Sequence, residues 1–307
     1  MRSILCALLL LGLAPGLALT PELLPAPALT LTAQERVEER HPLDPDGRLS
    51  VQAVRHRITV SVWDRDEVEV VATLDPEREE LRVTGSASDL RIEIREEGRG
   101  ARGRDGAIEL RVPREARLDL GTVSGGIRAA GVTGTVRFAT TSGSIELEGS
   151  PTTAHLVTVS GSIQASGEIQ DLRANAVSGS VTARGVRGDV EANTVSGALD
   201  LTAAGPLRRV RGNSVSGRIT LTGEAAPGAS FELQSHSGRI DLRLPRDTPA
   251  DYDLEVFSGS IRNGMTEDEA RSGAWGPGRT LRFRVGDGSV PVRIQSFSGG
   301  IELAPLG

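Results

Sequence analysis

The sequence predicts an all-β chain: a single-stranded β-solenoid of 18–21-residue coils with a β-rich region capping its N-terminal end. Three observations predict it. A Ser-Gly step returns in phase nine times, and an aliphatic residue follows each Ser at the same distance. No helical segment of ten or more residues fits between neighbouring steps, whereas a βαβ crossover needs about a dozen.

The nine steps begin at Ser124, Ser142, Ser160, Ser178, Ser196, Ser216, Ser237, Ser258 and Ser298. The first five are spaced by 18 residues, the next intervals are 20, 21 and 21, and the last is 40. A period of this size marks stacked supersecondary units. The third residue after each Ser is Ile127, Ile145, Ile163, Val181, Leu199, Ile219, Ile240, Ile261 or Ile301. Small or apolar residues return two places later, as at Leu147, Ala165, Leu201 and Leu242, with polar residues such as Glu146 and Asp200 between. Alternation of period 2 describes a strand with one buried face.

A second strand precedes each corner, with inward pairs such as Val136/Phe138, Leu172/Ala174, Phe231/Leu233, Tyr252/Leu254 and Val292/Ile294. Each unit therefore reads strand, Ser-Gly corner, strand, variable loop. The corner favours a solenoid over a meander of hairpins, because a small pair at constant phase bends every coil at one place. Gly takes backbone angles closed to other residues, and Ser is short enough to stack there. About nine coils at a strand spacing of about 4.8 Å give an array roughly 40 Å long. Asn175, Asn193 and Asn213 share one phase, continued by Gln234 and Gln295, and hydroxyl residues such as Thr140 and Thr158 occupy the next. Stacked amides and hydroxyls are expected to hydrogen-bond along such an array.

The organisation follows. Residues 1–28 read as a signal peptide: Arg2, an apolar run Ile4 to Leu13, and candidate cleavage points after Ala18 or Ala28. The run is too short for a span of about 20 residues. Residues 33–118 are rich in strand patterns without the Ser-Gly period, and form the region capping the solenoid, with Glu96 to Gly106 as an exposed loop. Residues 119–307 carry the repeats, with a polar insertion at 263–278 followed by a degenerate coil over Leu281 to Val285.

Composition narrows the function. The only cysteine, Cys6, lies in the apolar run, so the processed chain has no disulfide and no cysteine metal site. Every basic side chain is an arginine, the formal net charge is −6, and the charges are interspersed. That is a solvated surface and no nucleic-acid stripe. Trp63 is expected in the core, and Trp275, in the insertion, is a candidate contact residue.

No catalytic, cofactor-binding or metal-binding residue is assigned, and no cofactor. A nucleophilic Ser needs a base, and His41, His56, His155 and His236 do not recur with the corners. Outward acids Glu146, Asp200, Asp241 and Glu302 are scattered among Arg and Thr, the run Glu267 to Glu269 is a solvated loop, and Gly286-Asp287-Gly288 is a tight turn.

The ordered series Gly47 to Val70, Ile108 to Ile127 and the repeated Val-Ser-Gly-Ser-Ile units resembles the "putative adhesin" or toast-rack family of bacterial β-strand-repeat envelope proteins, over Gly47 to Leu303. The resemblance implies a β-helical fold at the cell envelope and no agreed catalytic residues. This chain lacks the membrane segments of some relatives. The expectation is an exported, non-enzymatic structural or binding protein of the periplasm, cell surface or exterior. Its partner is an envelope protein, a polysaccharide or a second copy, with no nucleic acid and no transmembrane segment in the mature chain. The alternative is a polysaccharide-active lyase or glycosidase on the same fold. The outer polar positions and the loops opposite the corners are the expected recognition residues.

Overall fold

Each sequence unit becomes one turn of a parallel coil, and the inward aliphatics stack into continuous columns. The computed structural model describes residues 34–96, 105–272 and 278–306. The signal segment 1–28, Cys6, Trp275 and most of the charged stretch after Glu96 lie outside the described residues. All described residues are strand, turn or irregular, with no helix.

The N-terminal part comprises β1 (Glu35–Pro42), β2 (Arg48–Gln52), β3 (His56–Trp63), β4 (Glu67–Leu74), β5 (Glu79–Ser86), β6 (Asp89–Glu96) and β7 (Gly106–Pro113). The repeats follow as β8 (Arg117–Thr122), β9 (Ile127–Val132), β10 (Thr135–Thr140), β11 (Ile145–Gly149), β12 (Thr153–Ser160) and β13 (Ile163–Ser166). Next come β14 (Asp171–Ser178), β15 (Val181–Ser196), β16 (Leu199–Ser216), β17 (Ile219–Thr222), β18 (Ala225–Ser237) and β19 (Ile240–Leu244). The chain ends with β20 (Ala250–Asn263), β21 (Arg271–Ser272), β22 (Arg279–Arg284) and β23 (Val290–Pro305).

The strands before the corners pair in parallel as β8, β10, β12, β14, β15, β16 and β18. Those after the corners pair as β9, β11, β13, β15, β16, β17 and β19. Ile127, Ile145, Ile163, Val181, Leu199, Ile219, Ile240 and Ile301 stand in register, and each is at most 1% exposed. Ile261 closes the column at the C-terminal end and is half-buried. The pairs Val136/Phe138, Leu172/Ala174, Phe231/Leu233, Tyr252/Leu254 and Val292/Ile294 fill the interior from the other side. Burying one such side chain contributes about 1.5–3 kcal/mol, so a narrow aliphatic core suffices when it repeats in every coil.

The spatial order of coils departs from the chain order at both ends. At the C-terminal end β18 and β19 pair with β23, and β20 lies beyond β23. The coil carrying Ser298 is thus inserted between those of Ser237 and Ser258. At the N-terminal end β2 and β3 pair with β8 and β9 on one side and with β6 and β7 on the other. The region expected to cap the solenoid therefore supplies two coils of the stack itself. Among the described residues there are, in spatial order, eleven: coil 1 (β6, β7), coil 2 (β2, β3), coils 3–9 (Ser124 to Ser237), coil 10 (Ser298) and coil 11 (Ser258).

The inversions let antiparallel strands cover the open edges, which would otherwise present unpaired backbone groups. β5 pairs antiparallel with β6, β4 with β7, and β1 with β4. Glu69, nearly buried, ties three of these strands together through Arg40 at 2.6 Å and Arg111 at 3.1 Å. The Arg40 hydrogen bond holds its carboxyl below the usual range. At the other end β22 pairs antiparallel with β20, Tyr252 facing Phe283 and Leu254 facing Leu281. The segment over Leu281 to Val285, expected as a degenerate coil, is this antiparallel edge strand. Its direction is reversed because it covers an edge and does not extend the stack.

Trp63 also departs from expectation. It is half-buried at the turn into β4, where Nε1 donates to the Glu67 carbonyl at 2.8 Å and the Arg65 guanidinium lies 4.9 Å from the ring centroid. Gly286-Asp287-Gly288 is a tight turn in which Asp287 Oδ1 accepts from the Ser289 amide at 3.0 Å, and Glu267, Asp268 and Glu269 are exposed.

Candidate functional site

The corners place three columns of side chains side by side. The residue two before each Ser-Gly's leading residue faces outward, the next faces inward, and the residue just before the Ser faces outward again. In coils 6, 7 and 8 the first column is Asn175, Asn193 and Asn213. Asn193 Nδ2 donates to Asn175 Oδ1 and Asn213 Nδ2 donates to Asn193 Oδ1, each at 2.8 Å. The expected amide ladder is present here. It ends at Gln234 and Gln295, which turn aside to Glu232 and Glu255.

The hydroxyl column behaves differently from expectation. Thr140, Thr158 and Thr194 are nearly buried and donate to the carbonyls of Gly125, Gly143 and Gly179 at 2.9–3.1 Å. Each hydroxyl thus fastens its strand to the corner of the preceding coil instead of to another hydroxyl. Ser214 and Ser235 are equally buried, but their oxygens have no partner.

The glycines are required by closeness more than by backbone angle. A Cβ on Gly143, Gly161, Gly179, Gly217 or Gly238 would run into the carbonyl oxygen of the corner glycine in the adjacent coil. None of these five has a positive φ. Backbone therefore packs directly on backbone at this edge.

The third column is the one that the sequence reading passed over. Val54, Val123, Val159, Val177, Val195, Val215, Phe297 and Phe257 project outward and are 40–52% exposed. Thr141 and His236 complete the row from coil 2 to coil 11. His236 stacks on Phe297 at 4.8 Å, and Phe297 on Phe257 at 4.8 Å, interplanar angles 3° and 6°. The order His236, Phe297, Phe257 repeats the inverted coil order. The row is apolar in eight of its ten coils, unlike the scattered single apolar residues of an ordinary solvated surface.

Between this ridge and the amide column runs a groove of about 520 Å³ from Val157 and Val159 in coil 5 to Phe297 in coil 10. Its only ionisable lining residue is His236. The charged column begins one outward position further on, at Arg173, Glu191, Arg211 and Glu232, where Arg211 and Glu232 pair at 3.5 Å. The groove can hold an uncharged ligand against one apolar and one amide-bearing wall.

The acidic residues weighed for catalysis lie on the other sheet face. Glu146 accepts from Arg128 at 2.7 Å, and Asp200 stands between Thr182 and Thr220. Asp241 and Glu302 are register neighbours because β23 is inserted beside β19. Arg239 approaches both, at 3.9 and 3.4 Å, and Arg218 lies 3.6 Å from Asp241. Burial pushes the Asp241 carboxyl above its usual range. Among the described residues no group of His, Cys, Asp and Glu is arranged to hold a metal ion, and no corner serine hydrogen-bonds a histidine. His41 contacts Glu39 at 2.8 Å, and His155 faces outward beside Arg137 and Arg173, burial and those two charges lowering its pKa.

His56 takes the corner-glycine position in coil 2. It is fully buried, Glu79 Oε2 is 3.4 Å from Nε2, and neither ring nitrogen has a hydrogen-bond partner. Burial lowers its pKa, outweighing the nearby Glu79 and Glu96.

Fold and edge together define a parallel β-solenoid with a ligand-sized groove along its corner side. The family model Toastrack DUF4097 matches residues 47–303, and the chain belongs to this family. Three solved structures are similar. A putative cell adhesion protein from Clostridium sporogenes has 9% identity and a TM-score of 0.27, over 89% of this chain and 100% of that one. A putative lipid binding protein from Parabacteroides distasonis has 13% identity and a TM-score of 0.40, over 89% and 97%. A putative adhesin from Bacteroides fragilis has 13% identity and a TM-score of 0.35, over 89% and 98%. Likeness at this level carries no argument about function. A search of the curated proteins finds no match.

Proposed function

We propose that this chain is a non-enzymatic binding protein exported to the bacterial cell envelope, and that it binds through the groove along its corner edge. The observation that carries the reading is the ridge of Val and Phe side chains, each about half exposed, flanking a groove almost free of charge. About half of each of these side chains remains in water, and the row exceeds the scattered single apolar residues of an ordinary surface. Export rests on the signal-like segment 1–28, with candidate cleavage points after Ala18 or Ala28.

The test is retention of the purified mature chain on an isolated envelope fraction. Val177→Asp with Val195→Asp is expected to abolish retention while circular dichroism still reports a folded array. Retention equal to wild type in that double variant contradicts the reading. Mass spectrometry of the protein from its native cells checks export, which predicts an N-terminus at residue 19 or 29.

A second reading, a polysaccharide-active enzyme, has one observation in its favour, the adjacency of Asp241 and Glu302. Release of reducing ends by the wild type, lost in both Asp241→Asn and Glu302→Gln, would establish it.

A further inference from the structure

We infer that the groove takes a linear, uncharged glycan lying along the stack, with about one sugar per coil. The inference rests on the reading that this groove is the binding surface, and names what fills it.

Charge comes first. Over six coils the lining is Val, Thr, Ser, Ala, Asn and Gln, with His236 and Phe297 at one end. A uronate, a phosphorylated polymer or an acidic peptide would be stripped of water here without a counter-charge, which is costly.

The two walls come second. An acyl chain would satisfy the valines but bury the amides of Asn175, Asn193 and Asn213 against hydrocarbon. The ladder leaves hydrogen-bonding capacity unused: Asn175 Nδ2 makes no hydrogen bond, and Asn213 Oδ1 accepts none. A pyranose ring offers what both walls require, C–H faces for the ridge and hydroxyls for the amides. The rings of His236 and Phe297 lie face to face, so they present edges to the groove. Sugar contacts along the ridge are therefore mainly aliphatic.

Spacing comes third. The coils repeat at the strand separation of about 4.8 Å, so the groove from coil 5 to coil 10 spans about 24 Å. An extended β-1,4-linked chain advances by roughly one such spacing per sugar and turns over at each link, so its like hydroxyls return every second coil, the separation of Asn175 in coil 6 from Asn213 in coil 8. A peptide in β conformation repeats its same-side residues at about 6.8 Å and falls out of step within two coils. A second copy would match the repeat. Sedimentation of the mature chain separates that occupant: a monomer is expected, and a dimer lost in Val195→Asp would overturn the inference.

The test is isothermal titration of the purified mature chain with chitohexaose and cellohexaose, alongside a hexa-uronate and palmitate. The expected result is binding of at least one neutral hexasaccharide, at least tenfold tighter than its disaccharide and at least tenfold tighter than the hexa-uronate. Val195→Asp and Asn193→Asp should each weaken it tenfold or more while circular dichroism reports a folded array. If Asn193→Asp unfolds, Val195→Asp alone decides. No binding of either neutral hexasaccharide, binding that ignores both variants, or tighter binding of palmitate or the hexa-uronate overturns the inference. If envelope retention still depends on Val177 and Val195 while these glycans fail, the groove remains the binding surface and its occupant is of another class. If retention is also insensitive, both readings fall.

Discussion

Substituting Ala for Gly179 introduces one methyl group at the most crowded point of a coil. Its Cβ would overlap the Gly161 carbonyl oxygen and lie 2.6 Å from the carbonyl carbon. The obstacle is backbone in the adjacent coil and cannot rotate away. Overpacking of this kind costs about 1–3 kcal/mol. Relief requires coils 5 and 6 to separate at the corner, where Gly161 N donates to Ser178 O at 3.2 Å and Ile163 N donates to Ser180 O at 2.9 Å. Weakening two such bonds adds about 1 kcal/mol each. Gly179→Ala should therefore destabilise the stack by roughly 3–5 kcal/mol. Gly205→Ala is the control: its Cβ meets only the Arg187 side chain, at 3.5 Å or more, and its φ is not positive. That change should lie within about 0.5 kcal/mol of wild type or stabilise slightly through the unfolded state. The assay is urea unfolding followed by circular dichroism on the mature chain. A Gly179→Ala midpoint equal to that of Gly205→Ala would refute the claim that backbone packs on backbone at the corners.

Further expectations concern the core, the ends and two titrating groups. Ile163→Asp should unfold or severely destabilise the stack, because a buried unpaired carboxylate costs several kcal/mol, whereas Gln164→Arg, at the exposed neighbouring position beside Glu146, should be near neutral in the same urea experiment. Deleting Thr158 to Asn175 joins Val157 to Ala176 in the register that already exists, so circular dichroism should report a shorter folded array, while removal of Val290 to Pro305 takes out coil 10 and should unfold the C-terminal end. Tyr252, the single tyrosine, is buried against Phe283 at a centroid distance of 4.5 Å and pushed up to about 12; its tyrosinate absorbance should rise near pH 12, and a midpoint near 10 in the folded protein would contradict that burial. Burial lowers His56, so its neutral form is favoured in the fold. Its contribution is complete above the unfolded value of about 6.5 and is lost as pH falls toward the lower folded value, by at most about 1.4 kcal/mol per pH unit. Urea midpoints should therefore fall less steeply between pH 7 and 5 in His56→Gln than in wild type.

The coil architecture was legible because it is written in period. Ile145, Ile163 and Val181 recur at one phase, and stacking them in register needs only the 18-residue spacing. The amide ladder was legible for the same reason. Coil order at the ends was not. Ser258 and Ser298 carry the same corner, and nothing local in either says that the later one lies nearer Ser237. That choice is made by β22, whose antiparallel pairing covers β20 and sends the chain back into the gap. The adjacency of Asp241 and Glu302 follows from this return and has no trace in the spacing. Coil 2 was hidden because His56 stands where other coils have Gly.

The ridge was hidden for another reason. Its signal was present, since Val177, Val195, Phe257 and Phe297 put apolar residues at a phase that alternation assigns to solvent. Attention to Ser and Gly, which bend the chain, obscured the residue beside them. Some of the outer polar positions that the sequence recommended for testing are engaged in ion pairs, such as Arg128 with Glu146, whereas Asp200 stands between two threonines.

The most direct test of the account compares envelope retention of three mature proteins: wild type, Val177→Asp with Val195→Asp, and Thr182→Arg with Thr220→Arg, which flank Asp200 on the opposite sheet face. The account predicts retention of the first and third and loss of the second, with all three folded by circular dichroism. Loss in the Thr182 and Thr220 variant with retention in the Val177 and Val195 variant would place binding on the other face and contradict the corner-edge groove.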